Sequence, residues 1–321
     1  MRRLLFLALV AAFGLPLLGG DPAHAQNQRS WVASTGLDSN ACTRAAPCAT
    51  FAGAIAKTVI NGEVNCVDEG EFSGGAILSI GKSITIDCHG RGALNPNPGI
   101  SSGSYVVINV PVGNANDPLR TVRLRGLRIS GAGLNASAGT RVGLEGIRIL
   151  SALHVFIHDT VVTQFAGFGI ADNRDGSGNL YVRNTAVQDN FNGISILPQL
   201  NTTIDVVIDN SHLNRNGDGL FTLGPARVVV NNSVFMGNAV RAVDADDGSS
   251  VSIDRSVING NVTGIRATAG STVRLANTDI MFNGTGISGT TFSFTNNRLV
   301  NIAAGTPPTP IGFATSDTGQ Q

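Results

Sequence analysis

The sequence predicts an all-β solenoid: short parallel strands wound about a common axis, with one short helix closing the N-terminal end. Three observations carry that prediction. From His158 to Asn301 one phrase recurs every 22 to 26 residues: an alternating apolar stretch, Asn-Ser or a near relative, a second short apolar stretch, then Asn and Gly-Ile. Val207-Ile208-Asp209-Asn210-Ser211 leads to Asn216 and Gly219-Leu220, and Ser252-Ile253-Asp254-Arg255-Ser256 leads to Asn261 and Gly264-Ile265. A fixed period of this size marks stacked units, each burying its apolar face against its neighbours. Within each unit, apolar and polar residues alternate, the signature of strands with one buried face. The units are also too short for helical crossovers, so turns must join the parallel strands. Composition agrees: 40 glycines, many asparagines and only 5% aromatic residues suit thin strands and tight turns.

The elements follow in chain order. Residues 1–25 read as a leader, with Arg2 and Arg3 ahead of the apolar run Leu4–Leu18 and an Ala23-His24-Ala25 cleavage site. The expectation is an exported protein, periplasmic or extracellular, whose mature chain starts at Gln26. The run is too short for a membrane span, and Pro16 interrupts it. Residues 26–61 form an N-terminal segment and capping helix. Phe51, Ile55 and Val59 recur every fourth residue, so Thr50–Val59 should be a helix with one apolar face over the first coil. Residues 62–304 form the coils. Val155, Ile157, Leu180, Val182, Val206 and Ile208 should point inward, and His158, Arg183, Asp209 and Asn231 outward. Phe292–Asn301 read as the last coil, Gly305-Thr306-Pro307-Pro308 stop the ladder, and 305–321 form a tail.

Two polar columns punctuate the repeat. Asp159, Asn184, Asn210, Asn232, Arg255 and Asn277 fall between two apolar runs, where Asn accepts the left-handed backbone of a tight corner. Asn190, Asn216, Asn238, Asn261 and Asn283 form a second column, and stacked asparagines can hydrogen-bond along the axis. Phe165 stands where this second column would begin.

Four cysteines suit an oxidising compartment. Cys42 and Cys48 share a polar loop and are expected to pair. Cys66 and Cys88 lie one repeat apart, which places them on adjacent strands ~4.8 Å apart. They can bridge there or remain two stacked thiols.

The stretch Trp31-Val32-Ala33-Ser34-Thr35-Gly36-Leu37-Asp38-Ser39-Asn40, with Ala46-Pro47-Cys48-Ala49-Thr50-Phe51 and Ala54-Ile55, resembles the opening segment of right-handed parallel β-helix proteins, the pectate-lyase-like superfamily. The later units resemble the repeat of its carbohydrate-binding and sugar-hydrolysing members. The resemblance implies a right-handed parallel β-helix. It leaves function open, because one fold hosts lyases, hydrolases, esterases, epimerases and adhesins.

No complete catalytic motif accompanies the fold. Asn277-Thr278-Asp279 matches the first polygalacturonase motif, but it lies on the structural Asn column, and its Asp-Asp, His-Gly and Arg-Ile-Lys partners do not follow. His89-Gly90 lies upstream, and Asp117-Pro118 is followed by Leu119 rather than the His of an epimerase motif. No nucleophile elbow, phosphate loop or His-Glu-x-x-His motif occurs. Net charge is zero and the only lysines are Lys57 and Lys82, so no basic run points to nucleic acid or anionic lipid.

If substrate lies along the Gly-Ile strands, the outward residues are Arg148, Gly169 with Ala171, Gly193 with Ser195, Gly219 with Phe221, Arg241 with Val243, Gly264 with Arg266, and Gly286 with Ser288. That face carries few carboxylates. Its ligand-binding candidates are Arg148, Arg241 and Arg266, which can grip carboxylates or sulfates, and Phe221, which can stack on a sugar ring. The resemblance adds that arginine is the base of some lyases of this superfamily. Acids gather in the following turns, as Asp172 and Asp175 beside Arg174, and as Asp244, Asp246 and Asp247. They are candidate Ca²⁺ ligands without calcium-loop spacing. Asp68, Glu69 and Glu71 read as solvated turn residues. The sequence points to an exported, non-catalytic, monomeric β-helix that binds polysaccharide or a surface glycan, or mediates a surface or matrix interaction, and needs no cofactor. A lyase, or another carbohydrate-active enzyme, on acidic polysaccharide, with Ca²⁺ at the Asp-rich turns, is the alternative.

Overall fold

A computed structural model describes residues 26–95, 103–131, 145–199 and 202–311. The expected leader, and the tail beyond residue 311, lie outside the described residues. Among the described residues the strands form a 20-stranded sheet and a nine-stranded sheet, and every pairing is parallel. The larger sheet has a long-strand wall, including Thr121–Ser130, His154–His158, Gly178–Arg183 and Ile204–Asp209. It continues round a corner into a short-strand wall, including Val161–Thr163, Ala186–Gln188 and His212–Asn214. The nine-stranded sheet holds the Gly-Ile strands, from Leu78–Ile80 to Thr285–Gly289. Each coil visits the three walls in that order. No helix among the described residues is long and apolar enough to cross a membrane.

Parallel registration stacks like residues into columns. Leu124, Ile157, Val182, Ile208 and Val230 are consecutive partners on the long-strand wall, and each is at most 1% exposed. Burying an aliphatic side chain contributes roughly 1.5–3 kcal/mol, so such columns supply the apolar driving force of the coil. The inward assignments made from alternation hold for Val155, Ile157, Leu180, Val182, Val206 and Ile208.

The first polar column sits at the corner between the long and short walls. Asp159, Asn184, Asn210, Asn232, Arg255 and Asn277 all have φ between 45° and 52°. Asn184 donates to Asp159 across 2.6 Å, and Asn210 donates to Asn184 across 3.3 Å, so this column also bonds along the axis outside the wall. Arg255 holds the same backbone while its guanidinium reaches Asp254 at 2.6 Å and Asn232 at 3.2 Å.

The second column is buried. Asn190, Asn216, Asn238, Asn261 and Asn283 are 1–3% exposed. The Oδ1 of each accepts a backbone N–H from the preceding coil: Phe165 to Asn190, Asn190 to Asn216 and Asn216 to Asn238 at 3.0 Å, then Asn238 to Asn261 and Asn261 to Asn283 at 2.9 Å. Each Nδ2 donates inward to a backbone carbonyl, for example Asn238 to Leu213 at 3.0 Å. Phe165 heads the column, fully buried against Tyr105. Just before each asparagine a second left-handed column runs through Gln164, Asp189, Arg215, Gly237, Gly260 and Phe282.

The ends differ from expectation in detail. The helix spans Phe51–Lys57, N-capped by Thr50 Oγ1, and buries Phe51, Ala54 and Ile55. Its C-cap Thr58 is already extended, and Val59 belongs to the strand Thr58–Cys66 rather than to the helix face. Asn27–Val32 pairs with that strand, so the ladder gains a rung ahead of the helix. At the other end the ladder passes Pro308, because Thr309–Pro310 pairs with Phe292–Ser293. Both disulfides form. Cys42–Cys48 pins the N-terminal loop, and Cys66–Cys88 joins adjacent rungs with Cα atoms 4.8 Å apart.

Two substitutions test the corner chemistry. Asn238→Ala strips an acceptor from the Asn216 N–H and a donor from the Leu213 carbonyl, and is expected to cost about 1–3 kcal/mol in chemical denaturation. Arg255→Asn puts a residue that tolerates φ of 45° into the first column, and is expected to stabilise by about 0.5–1 kcal/mol in the same assay.

Candidate functional site

The Gly-Ile wall was the face expected to hold ligand. Its register assigns Val107, Arg148, Ala171, Ser195, Phe221, Asp244, Arg266 and Ser288 to one outward column. Asp244, not Val243, takes the place beside Phe221; Val243 pairs with Leu220 and points into the core. Arg241 aligns with Asp218 at the rim of the wall. The glycines offer no open face. A Cβ on Gly169 would lie 2.8 Å from the Gly193 carbonyl oxygen and 2.9 Å from Asn190 Nδ2. Those positions are glycine because the next coil and the buried asparagines press on them. Phe221 is half-buried rather than exposed.

This register changes the chemistry of the wall. Arg241 makes a two-pronged contact with Asp218 at 2.8 and 3.0 Å and reaches Asp244 at 3.0 Å. Arg266 grips Asp244 at 2.6 and 2.8 Å and lies 3.5 Å from Asp246, which accepts from Thr268. Asp244 has no solvent exposure, while its two arginines retain 21% and 36%. Arg148 lies 3.6 Å from Glu145 and beside Asn173. The face expected to be poor in carboxylates thus has one for every arginine.

Two consequences follow. Guanidinium groups already bidentate with carboxylates have little charge left for an incoming anion. An arginine base must lose its proton, whereas the Asp244 hydrogen bonds raise the Arg266 pKa against desolvation. The candidate Ca²⁺ ligands are engaged similarly. Asp172 is buried against Arg174 at 2.6 and 2.8 Å, Asp244 serves both arginines, and Asp246 is held by Thr268 and Arg266 with its pKa lowered, chiefly by the Thr268 hydroxyl. Among the described residues, no three His, Cys, Asp or Glu side chains group so as to hold a metal ion. Asp175 and Asp247 stay in turns.

The outer face of the long-strand wall is arranged differently. Arg123, Phe156, Tyr181, Val207 and Val229 are consecutive partners in one outward column. The Phe156 and Tyr181 rings stack with centroids 4.7 Å apart and planes 8° from parallel. Arg123 covers the other face of Phe156, with Cζ 4.8 Å from the ring centroid. Both faces of Phe156 are therefore occupied. What this column presents outward is a fixed guanidinium and the electropositive edges of rings.

The adjoining outward column runs Asp87, Arg125, His158, Arg183 and Asp209 in register. Arg125 and Arg183 are 46% and 69% exposed, with single contacts of 3.7 Å to Asp87 and 3.6 Å to Asp209. Among the described residues no carboxylate lies within ion-pair distance of Arg123. A polar hollow of about 530 Å³, lined by Asp87, His89, Gly90, Arg125, Gly126 and Asp159, opens beside the column. Sequence reading had His158 and Arg183 pointing out but passed over Arg123, Arg125, Phe156 and Tyr181. The available signal was the outward positions flanking the predicted inward residues Val155, Ile157, Leu180 and Val182.

Comparison with known proteins fits this architecture. The family model described as "Right handed beta helix region" matches residues 122–255. Among solved structures, pectate lyase Pel9A superposes with a TM-score of 0.61 at 16% identity, covering 89% of this chain and 80% of its own. PfbA, a surface adhesin of Streptococcus pneumoniae, gives a TM-score of 0.41 at 12% identity, covering 84% of this chain and 91% of its own. No curated protein matches the chain in sequence. The fold is a right-handed parallel β-helix of the pectate-lyase type, and identity at this level speaks of fold alone.

The Asp244 network is testable by stability. Asp244→Asn leaves two half-buried arginines sharing a weaker partner and is expected to cost about 1–3 kcal/mol in urea unfolding. Arg227→Ala, which breaks an exposed pair with Asp205, is expected to leave the midpoint unchanged.

Proposed function

We propose that this protein is an exported, non-catalytic β-helix that binds anionic polysaccharide along the outer face of its long-strand wall. The observation carrying this reading is the arrangement of Arg123, Arg125 and Arg183 around the Phe156–Tyr181 stack. Arg123 is ordered by a ring instead of a carboxylate, and its neighbours Arg125 and Arg183 stay exposed to water. Guanidinium groups ordered without bidentate acid partners can bind carboxylate or sulfate at small entropic cost. The stripe follows the helix axis across successive rungs, ~4.8 Å each, so its ligand should be a chain rather than a single anion.

The same geometry disfavours lyase chemistry on the Gly-Ile wall. There the arginine that would have to act as base is held protonated by Asp244. Export is supported by the two disulfides, which persist in oxidising compartments. The grip uses side-chain cations alone, so no resident ion is needed, and one chain carries the whole stripe.

The test is titration of a panel of sulfated, uronate-rich and neutral oligosaccharides, with polymer length followed alongside. Anionic members should bind, weaken with added salt, and emerge unshortened. The double variant Arg123→Ala/Arg183→Ala should lose affinity by about tenfold or more, while Arg215→Ala, whose side chain is bidentate with Asp189 elsewhere, should bind as before. Shortened polymer, or equal binding of neutral chains, would contradict the proposal.

A further inference from the structure

Between Arg125 and Arg183, on the middle rung of the cationic column, the register puts a histidine, His158. Its ring stands edge-on to Phe156 with centroids 5.9 Å apart and planes at 85°, so the aromatic stack fixes its place. The groups around it come from every neighbouring rung. Strand Thr121–Ser130 contributes Arg123 and Arg125, and strand Gly178–Arg183 contributes Tyr181 and Arg183. On its own coil, Asp159 follows at the corner, where Asn184 donates to its carboxylate at 2.6 Å. Further out, Asp87 and Asp209 contact the two arginines, and His89 lies 3.2 Å from Asp87.

A neutral ring between two cations lies idle when the surface is empty. A docked anion changes that balance, since a negative group spanning Arg125 and Arg183 passes over the imidazole and favours its charged form. We infer that this face binds polyanions in a proton-linked manner, with His158 taking up a proton as the ligand docks. The inference rests on the proposed binding face and adds its regulation.

Burial lowers the His158 pKa below its ordinary 6.5; Arg125 adds to this, Asp159 opposes it, and Arg183 and Arg123 add again. The free protein is therefore mostly neutral at this position near neutral pH. In the complex the anion raises the pKa. Affinity climbs as pH falls from the bound pKa toward the free pKa, and levels off below the free pKa. A fourth cation joins the three arginines only where the medium is mildly acidic.

Calorimetric titration with a dextran sulfate oligomer tests this, because sulfate esters stay charged throughout the range. Between about pH 8 and about pH 5 the wild-type affinity is expected to rise at least threefold, or roughly half a pH unit of linkage. Heats in two buffers of different ionisation enthalpy should show proton uptake. His158→Gln, an outward change that leaves the core intact, should bind as wild type does near pH 8 and show a flat profile. The His158 proton resonance should titrate higher with the polymer present. Binding with a flat wild-type profile, or a slope that survives in His158→Gln, would overturn the proton linkage while leaving the binding face standing. No binding at any pH would overturn both.

Discussion

At the corner before the Gly-Ile wall, the backbone turns its N–H groups toward the interior, where no strand can reach them. Five asparagine carbonyls receive those groups, each from the coil above in sequence. An unpaired buried N–H costs about as much as several favourable contacts return. The asparagine column therefore fixes where the chain can turn, and with it the registration of all three walls. Once registration is fixed, a residue's outward or inward fate is decided by counting. The two left-handed columns at 159–277 and 164–282 do the rest of the steering.

The walls use the same residue type for opposite ends. On the Gly-Ile wall Arg241 and Arg266 are bidentate with carboxylates of the preceding coil and act as struts between coils, while Arg148 lies 3.6 Å from Glu145 of its own strand. On the long-strand wall Arg123 rests on a ring, while Arg125 and Arg183 make only single, longer contacts with acids. The difference is not in amount of arginine but in what neutralises it. A chelated guanidinium must break two good bonds to meet an anion, whereas one laid on a π-face loses little.

Much of this was legible from spacing. Asn184 to Asn210 and Asn210 to Asn232 gave the coil length, and both asparagine columns took the roles their chemistry suggested. One repeat of separation placed Cys66 and Cys88 on adjacent rungs, and of the two outcomes left open there the disulfide is the one that forms. The site was less legible, for a local reason. Between Asn216 and Asp218 stands Gly217, but between Asn238 and Arg241 stand both Ala239 and Val240. That one extra residue shifts the count, and a one-residue slip turns side chains to the other face. It hid Asp244 from the wall and made Arg241 look unopposed. The second left-handed column went unseen because Gln164, Arg215 and Phe282 are not residues that advertise φ > 0. The helix was drawn two residues too far at its C-terminal end, since Val59 continues an apolar spacing that the strand Thr58–Cys66 satisfies equally well.

On the proposed function, the long-strand wall, not the Gly-Ile wall, meets the ligand. Arginine Nε–Hε resonances report it directly when a sulfated oligosaccharide is added to the isotope-labelled protein. The signals of Arg123, Arg125 and Arg183 should shift in step with occupancy, while those of Arg148, Arg241 and Arg266 stay in place. Movement confined to the second group would contradict the account and return the site to the Gly-Ile wall.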